Sequence, residues 1–306
     1  MFSVLLKSLS FVLIILLGYV LKRRVFTTEG DYRFPAFLLL NITLPATVIH
    51  AFGAFKGNQS LLALVGYGFL AALIPMLLVW LLGFRLPRER RAFGMINVTG
   101  FNIGAFTLPF VQSFFGPAGV IAACLFDIGN ALLVAGGSYA LTSSVLGTDD
   151  EERFSLFTMV KRLFSSMPFN TYLLMLLLVV FDLSIPTPVL TVLEPFARAN
   201  AFVAMFMIGM MCEFRLSGGR FWSLAWVIGL RLAVGALCSW LMFCFAPFSL
   251  EVRQTLAVVA FAPVSSLAPI FSERLRADGG LSSLTLSVSV PFSLTAIVGL
   301  VLWMQG

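Results

Sequence analysis

The sequence is poor in charge and almost without histidine. Asp, Glu, Lys and Arg make up 11% of its 306 residues, hydrophobic residues make up 59%, and His50 is the single histidine. No serine has a histidine near it, no two acids share a deep apolar run, and no His-Glu zinc motif occurs. These absences exclude the usual hydrolase and metalloenzyme sites, so we expect neither an enzyme nor a cofactor.

Cysteine is scarce too, and its placement does not indicate a metal site. The four cysteines, Cys124, Cys212, Cys238 and Cys244, all lie within or at the edge of apolar runs, without metal-ligand spacing. We expect buried, reduced thiols. The net charge of +6 comes from short Lys and Arg clusters between the apolar runs, so nucleic acid is not an expected partner.

Long apolar runs are abundant and predict an all-α integral membrane protein. The mean hydropathy is +1.00, too high for a water-soluble globule. The runs are long enough to cross roughly 30 Å of hydrocarbon as helices and lack the alternation of a membrane barrel. We predict ten spans, near residues 4–21, 34–52, 61–83, 92–113, 117–145, 168–183, 187–213, 221–246, 253–273 and 280–304.

Positive charge predicts the orientation of these spans. The loops after spans one, three, five, seven and nine hold fifteen Lys and Arg residues, whereas the opposite side has Lys56, Arg253 and at most Lys7. Short loops rich in Lys and Arg stay cytoplasmic. We therefore expect both termini outside. The first run is followed by Lys22-Arg23-Arg24 and has no small-residue cleavage site, which indicates an uncleaved helix.

An odd number of spans in each half predicts that the halves are inverted. We divide the chain into a first five-helix repeat at 1–146, a cytoplasmic loop at 147–167 and a second repeat at 168–306. The fourth span of one half and the matching ninth span, about 160 residues later, both contain Gly or Pro. Paired interrupted spans in inverted repeats are the best sequence pointer to a transporter's binding site.

Helix breakers and small polar residues occur together in these two spans. The breakers are Gly100, Gly104 and Pro109 in span four and Pro263 and Pro269 in span nine, and the polar residues beside them are Asn102, Thr107, Ser265 and Ser266. Two unwound spans of opposite direction would bring helix N-termini, which suit a carboxylate, beside C-termini, which suit a cation. The alternative is a pair of ordinary proline kinks, in which Ser and Thr side chains form hydrogen bonds with the freed backbone groups.

Asp127 is the most informative ionisable residue, because an acid at mid-membrane costs on the order of 3 kcal/mol on insertion scales. Asn130 follows on the same helix face. The pair is either a proton or cation coupling site or a structural carboxylate bonded to a broken backbone, and the sequence leaves both open.

Other polar residues in the spans are weaker candidates. Asn41 and Asn200 lie in the corresponding spans two and seven, where each could line a pathway, although we favour helix–helix hydrogen bonding. Arg231 in span eight could bind an anion, but we favour snorkelling or pairing with an acid.

Several of these residues stand in a pattern that resembles bacterial members of the auxin efflux carrier family. The pattern comprises LNITLP at 40–45, Asn102 seven residues before Pro109, FDIGN at 126–130 and NAFVAMFMIGM at 200–210. Order, spacing and length agree over essentially the whole chain. The family belongs to the bile acid/arsenite/auxin transporter superfamily.

The resemblance implies a fold and a mechanism. Spans one, two, six and seven would form a scaffold that also makes a homodimer, the other six spans would form a transport domain, and spans four and nine would cross. It implies elevator-type alternating access and carboxylate substrates, with Asn102 near the bound carboxylate, in a bacterial inner membrane. The sodium ligands of the bile acid symporters cannot be matched here residue by residue.

Together these observations predict a secondary transporter that moves a small organic anion through the lipid bilayer, coupled to H⁺ or Na⁺. A uniporter driven only by the membrane potential, or a receptor that binds the anion without moving it, are the alternatives.

Overall fold

The computed structural model describes residues 2–24, 32–53, 59–147, 156–181, 183–212 and 221–305. Over these residues the chain is helical and contains no strand, so the predicted all-α class is confirmed for the described parts. Residues 148–155 of the predicted central loop, including the acidic run at 149–152, lie outside them, as does Lys56.

Fifteen α-helices follow one another along the described chain. They are α1 Phe2–Arg24, α2 Arg33–Leu38, α3 Leu44–Gly53, α4 Ala63–Leu82, α5 Arg88–Val98, α6 Leu108–Phe114, α7 Pro117–Leu132, α8 Ser138–Leu146, α9 Leu156–Ser165, α10 Met167–Val180, α11 Thr187–Met211, α12 Phe221–Phe245, α13 Leu250–Val259, α14 Ala268–Arg274 and α15 Gly279–Gln305. Wide π-type turns at Leu39–Thr43 and Leu133–Gly137 join α2 to α3 and α7 to α8, and a third at Ile103–Thr107 leads into α6.

Seven helical segments of the described chain are long and apolar enough to cross a membrane. They are Val4–Arg24, Arg33–Gly53, Ser60–Leu82, Pro117–Leu146, Thr187–Met211, Phe221–Phe245 and Gly279–Met304. They coincide with predicted spans one, two, three, five, seven, eight and ten. The segments Arg88–Val98 and Ile103–Phe114 pass the same test together, with a bend of 46° between them, and make an eighth.

The remaining two predicted spans, six and nine, are not single helices long enough to cross the membrane. Residues 168–183 contain α10, whose 14 residues rise about 21 Å and fall short of the roughly 30 Å hydrocarbon thickness. Residues 253–273 are divided between α13 and α14, with 260–267 not helical. The arrangement of ten spans in two inverted repeats therefore stays a prediction.

Large apolar side chains cover the outer helices. Leu13 on α1, Leu81 on α4, Val192 on α11 and Leu237 on α12 are each more than half exposed. Soluble monomers rarely expose contiguous apolar surface on this scale. This surface fits lipid, and with the long apolar helices it marks a multi-pass membrane protein.

The interrupted helices lie inside this apolar shell. Every residue from 92 to 101 is buried, and so are residues 255–260 and 262–265. The bulkiest fully buried side chains include Phe106 and Phe110 beyond the first interruption and Phe126 on α7. Because lipid offers the backbone no hydrogen bonds, interrupted helices are tolerated only where protein surrounds them.

Glycines allow two pairs of helices to pack with their backbones in contact. A Cβ on Gly68 of α4 would lie 1.9 Å from the Phe126 carbonyl oxygen of α7, and one on Gly129 of α7 would lie 1.9 Å from the Val65 carbonyl oxygen of α4. A similar pair joins α1 to α11, where Gly209 meets the carbonyl of Ile15. Such close approach is the main source of stability between helices in lipid.

We expect Gly68→Ala to lower the thermal unfolding midpoint of the detergent-purified protein, because the added methyl group collides with backbone that cannot yield. Overpacking of this kind costs about 1–3 kcal/mol. Gly66→Ala on the same helix is the matched control, since nothing lies within 4 Å of its added Cβ. Equal midpoints for the two variants would contradict the packing described here.

Candidate functional site

The first interruption occupies residues 99–102, between α5 and the turn that leads into α6. Gly100 has φ +75, a left-handed conformation that glycine adopts without strain. Gly104 lies in the following wide turn and Pro109 at the start of α6. The wide turn accommodates Pro109, which cannot donate a helical hydrogen bond.

The second interruption, residues 260–267, contains Pro263, while Pro269 lies in the first turn of α14. Serines satisfy part of its backbone. Val264 N–H donates to Ser289 Oγ on α15 at 3.1 Å, and Leu267 N–H donates to Ser265 Oγ at 3.3 Å.

The two interruptions are in direct contact. Asn102 N–H donates to the carbonyl of Pro263 at 3.0 Å. Nearby, the side chain of Asn97 on α5 donates to Ser272 Oγ on α14 at 3.2 Å and accepts from Ser282 Oγ on α15 at 2.6 Å. All three of these side chains are fully buried. The structure thus brings together the two sets of breakers that the sequence places 160 residues apart.

Asn130 on α7 supports the first interruption. Its Oδ1 accepts from Phe101 N–H and its Nδ2 donates to the Phe101 carbonyl, both at 2.9 Å. The side-chain amide of Asn130 therefore pairs with both the N–H and the C=O of Phe101, which have no helical partners at this position. The same Nδ2 donates to Asp127 Oδ1 at 2.8 Å.

Asp127 is half-buried and reaches the broken backbone through Asn130. Its other oxygen, Oδ2, accepts from the hydroxyl of Tyr172 on α10 at 3.2 Å. Gly104 makes room for this arrangement, since a Cβ there would lie 3.2 Å from the Tyr172 hydroxyl and 3.5 Å from Asp127 Oδ2. Sequence reasoning missed Tyr172, whose only signal is a phenol at the start of the apolar run in α10.

Arg231 on α12 holds both interruptions, and our expectation that it snorkels or pairs with an acid is wrong. Its Nη1 donates to the carbonyls of Asn97 at 3.2 Å, Val98 at 2.9 Å and Gly100 at 3.0 Å, and its Nη2 to those of Ala262 at 3.0 Å and Pro263 at 3.1 Å. In the described chain no carboxylate pairs with it. Backbone carbonyls at the two interruptions take the place of a carboxylate as the partners of this guanidinium. A lone arginine within a 25-residue apolar helix was the available signal.

A small cavity of about 30 Å³ adjoins this guanidinium. Its lining includes Phe101, Arg231, Cys238, Phe261, Ser289 and Ser293. None of the residues that the sequence predicts for substrate or ion binding lines it. The cavity therefore lies beside Arg231, next to the contact between the two interruptions. Gly104 does not line this cavity and lies close to Asp127 and Tyr172.

Some polar groups at the interruptions keep unused hydrogen-bonding capacity. Asn102 is half-buried, and within the described residues its side-chain amide has no hydrogen bond. Its backbone carbonyl accepts from Thr107 N–H at 3.3 Å. Ser266 is exposed, whereas Thr107 and Ser265 are buried. The Asn102 amide is therefore available to a ligand.

Asn200 and Asn41 have different surroundings. Asn200 is fully buried, accepts from Thr43 Oγ1 at 3.1 Å and donates to Gln112 Oε1 of α6 at 3.2 Å. It joins three segments, as helix–helix hydrogen bonding requires. Asn41 is exposed and donates to the Phe37 carbonyl of its own helix at 3.0 Å. Within the described residues, neither forms a hydrogen bond with Asn102 or Pro263.

Residues 3–158, just over half of the chain, match the family described as Membrane transport protein. The chain belongs to this family. The resemblance to auxin efflux carriers is confirmed at this level, since the membrane transport family includes them. A comparison with curated proteins finds no match. The matched segment contains the first interruption, Asp127 and Asn130.

The described residues contain no group of three or more His, Cys, Asp or Glu side chains able to hold a metal ion. The polar groups described at the site are an amide, a carboxylate, a phenol, a guanidinium and the exposed backbone.

We expect Asn130→Ala to destabilise the protein, because it leaves the N–H and C=O of Phe101 buried without partners. Each such group costs about 1–3 kcal/mol. The thermal unfolding midpoint in detergent measures this. Asn41→Ala removes an exposed amide that bonds only within its own helix, and its midpoint should stay at the wild-type value. An Asn130→Ala midpoint as high as that of Asn41→Ala would contradict the supporting role.

Proposed function

We propose that this membrane transport protein is a secondary transporter for a small organic anion, a carboxylate, and that the anion binds where the two interrupted helices meet. The observation that carries the proposal is the hydrogen bond from Asn102 N–H to the Pro263 carbonyl, inside a buried core surrounded by apolar helices. Transporters place substrate sites at such discontinuous helices near the bilayer midplane.

Charge at this place favours an anion. Arg231 brings a full positive charge, and within the described residues no carboxylate forms an ion pair with it. The helical segment Ile103–Phe114 begins directly after Asn102 and directs its first N–H groups towards the interruption. The unpaired Asn102 amide adds a donor. One arginine and neutral donors suit a carboxylate better than a phosphate, which usually takes several cationic groups.

The proposed architecture is ten spans in two inverted repeats, 1–146 and 168–306, with both termini outside a bacterial inner membrane. In this arrangement α5 with α6 is span four, α13 with α14 is span nine, and α10 is a short span six. The contact between the two interruptions supports the pairing of spans four and nine.

We propose elevator-type alternating access, in which α1, α2, α3, α10 and α11 form a fixed scaffold and homodimer interface and the other helices move. Packing supports this division. Backbone-to-backbone glycine contacts join α1 to α11 and α4 to α7, each pair within one part. Between the parts lie side-chain hydrogen bonds, from Asn200 to Gln112 and from Tyr172 to Asp127. Such bonds exchange more easily during sliding than interlocked backbones do.

We propose H⁺ rather than Na⁺ as the coupling ion, with Asp127 as its carrier. Asp127 is linked through Asn130 and Phe101 to the backbone that Arg231 binds. With Asp127 ionised the two charges cancel, and with Asp127 protonated the site is positive. An anion then binds best together with a proton.

Uptake of a radiolabelled carboxylate into proteoliposomes tests the function. A thermal-shift panel of mono- and dicarboxylates on the purified protein selects the substrate. We expect saturable uptake and counterflow, and at least a roughly tenfold loss with Asn102→Ala, as for one hydrogen bond to a charged ligand. Asn41→Ala should transport normally. Binding without counterflow would identify a receptor and refute the transport proposal.

Asp127→Asn tests the coupling, because asparagine keeps the hydrogen-bonding shape and cannot release a proton. We expect wild-type uptake to rise with an inwardly directed proton gradient and uptake by Asp127→Asn to be insensitive to it. An unchanged gradient dependence would remove Asp127 from this role. Uptake by the wild type that follows only the membrane potential would indicate a uniporter.

A further inference from the structure

We propose that Arg231 is a resident cation: its guanidinium lies where the carbonyls of two interrupted helices would otherwise hold a metal cation, and it fastens the interruptions to each other. The consequence for transport, which rests on the proposed function, is that the carrier works without Na⁺. The contacts themselves are independent of that function.

The donor count shows that the two terminal nitrogens of the guanidinium are fully engaged at these carbonyls. They carry four of its five N–H groups, and five carbonyl oxygens lie within 2.9–3.2 Å of them. No terminal N–H is left for a carboxylate ligand. The terminal nitrogens of Arg231 therefore act on a substrate through their charge and through the backbone they position.

The acceptors are those that a metal cation would use. Asn97 and Val98 are the last residues of the first half-helix, and their carbonyls carry the negative end of its dipole. Ala262 and Pro263 contribute carbonyls from the unwound second stretch. Helix C-terminal ends and unwound carbonyls are the groups that coordinate Na⁺ in transporters with discontinuous helices. A guanidinium and a Na⁺ ion cannot occupy this place together.

A third helix supplies the cation. Arg231 belongs to α12, and its guanidinium also lies over the ring of Phe101, 5.4 Å from the ring centroid. Phe101 is the residue whose backbone Asn130 supports. The first interruption is thus held between a cation on one side and an amide on the other. The cavity beside Arg231 leaves a space of water size next to this position.

The test compares Arg231→Met, which keeps bulk and removes the charge, with Arg231→Lys, which keeps a charge with fewer donors. Arg198→Met is the matched control, since Arg198 is 79% exposed and pairs with Glu194. Two readouts are made: carboxylate uptake with Na⁺ replaced by choline, and the unfolding midpoint of purified protein with millimolar guanidinium, Na⁺ or choline.

We expect the wild type and Arg198→Met to transport equally well in Na⁺ and in choline. Arg231→Met should lose at least about tenfold in uptake, as expected for lost charged hydrogen bonds, and should unfold at a lower temperature. Guanidinium, which can enter the space left by the side chain, should raise the midpoint of Arg231→Met and leave the midpoints of the wild type and Arg198→Met unchanged.

Three results would overturn the proposal: wild-type uptake that requires Na⁺, an Arg231→Met protein as stable as Arg198→Met, or guanidinium that shifts all proteins alike. If Arg231→Met does not fold, Arg231→Lys decides, because an ammonium should still permit folding and Na⁺-free uptake. Failure of Arg231→Lys in either respect contradicts the proposal. If the wild type carries no carboxylate at all, the proposed function fails while the midpoints still test Arg231.

Discussion

The structure depends on satisfying the hydrogen bonds of two interrupted helices in a place without water. An unpaired backbone group in hydrocarbon costs several kcal/mol. Here Asn130 pairs both groups of Phe101, Ser289 receives the N–H of Val264, and Arg231 takes up carbonyls from both interruptions. The partners come from α7, α15 and α12. Helices that surround the interruptions thus make an irregular backbone possible inside a membrane protein.

That same requirement joins distant parts of the chain. The buried contacts of Asn97 with Ser272 and Ser282, like three of the five bonds of Arg231, cross between the two halves of the sequence. Glycine contacts then fix α4 against α7 without any polar group. Buried hydrogen bonds thus tie the interrupted helices to each other, and in the proposed elevator mechanism they would move together.

Opposite charges act on the first interruption in two different ways. Asp127 acts through Asn130, whereas Arg231 binds the carbonyl of Gly100 directly. The Asp127 carboxylate also accepts a bond from Tyr172, which belongs to the part proposed as scaffold. A change in the charge of Asp127 would therefore be felt both at the interrupted backbone and at the boundary between the proposed parts, which is what coupling of an ion to movement requires.

The sequence alone determined the membrane-spanning class, seven of the spans and the glycine and proline positions at which helices stop, because hydropathy and backbone freedom are local properties. It also indicated the family through residues such as Asp127 and Asn130. Only the tertiary structure decided which side chains form hydrogen bonds with the N–H and C=O groups of the two interruptions. Arg231 resembled a snorkelling or ion-paired arginine, and Tyr172 and Gln112 gave no indication of their partners, because those partners lie far away in the chain.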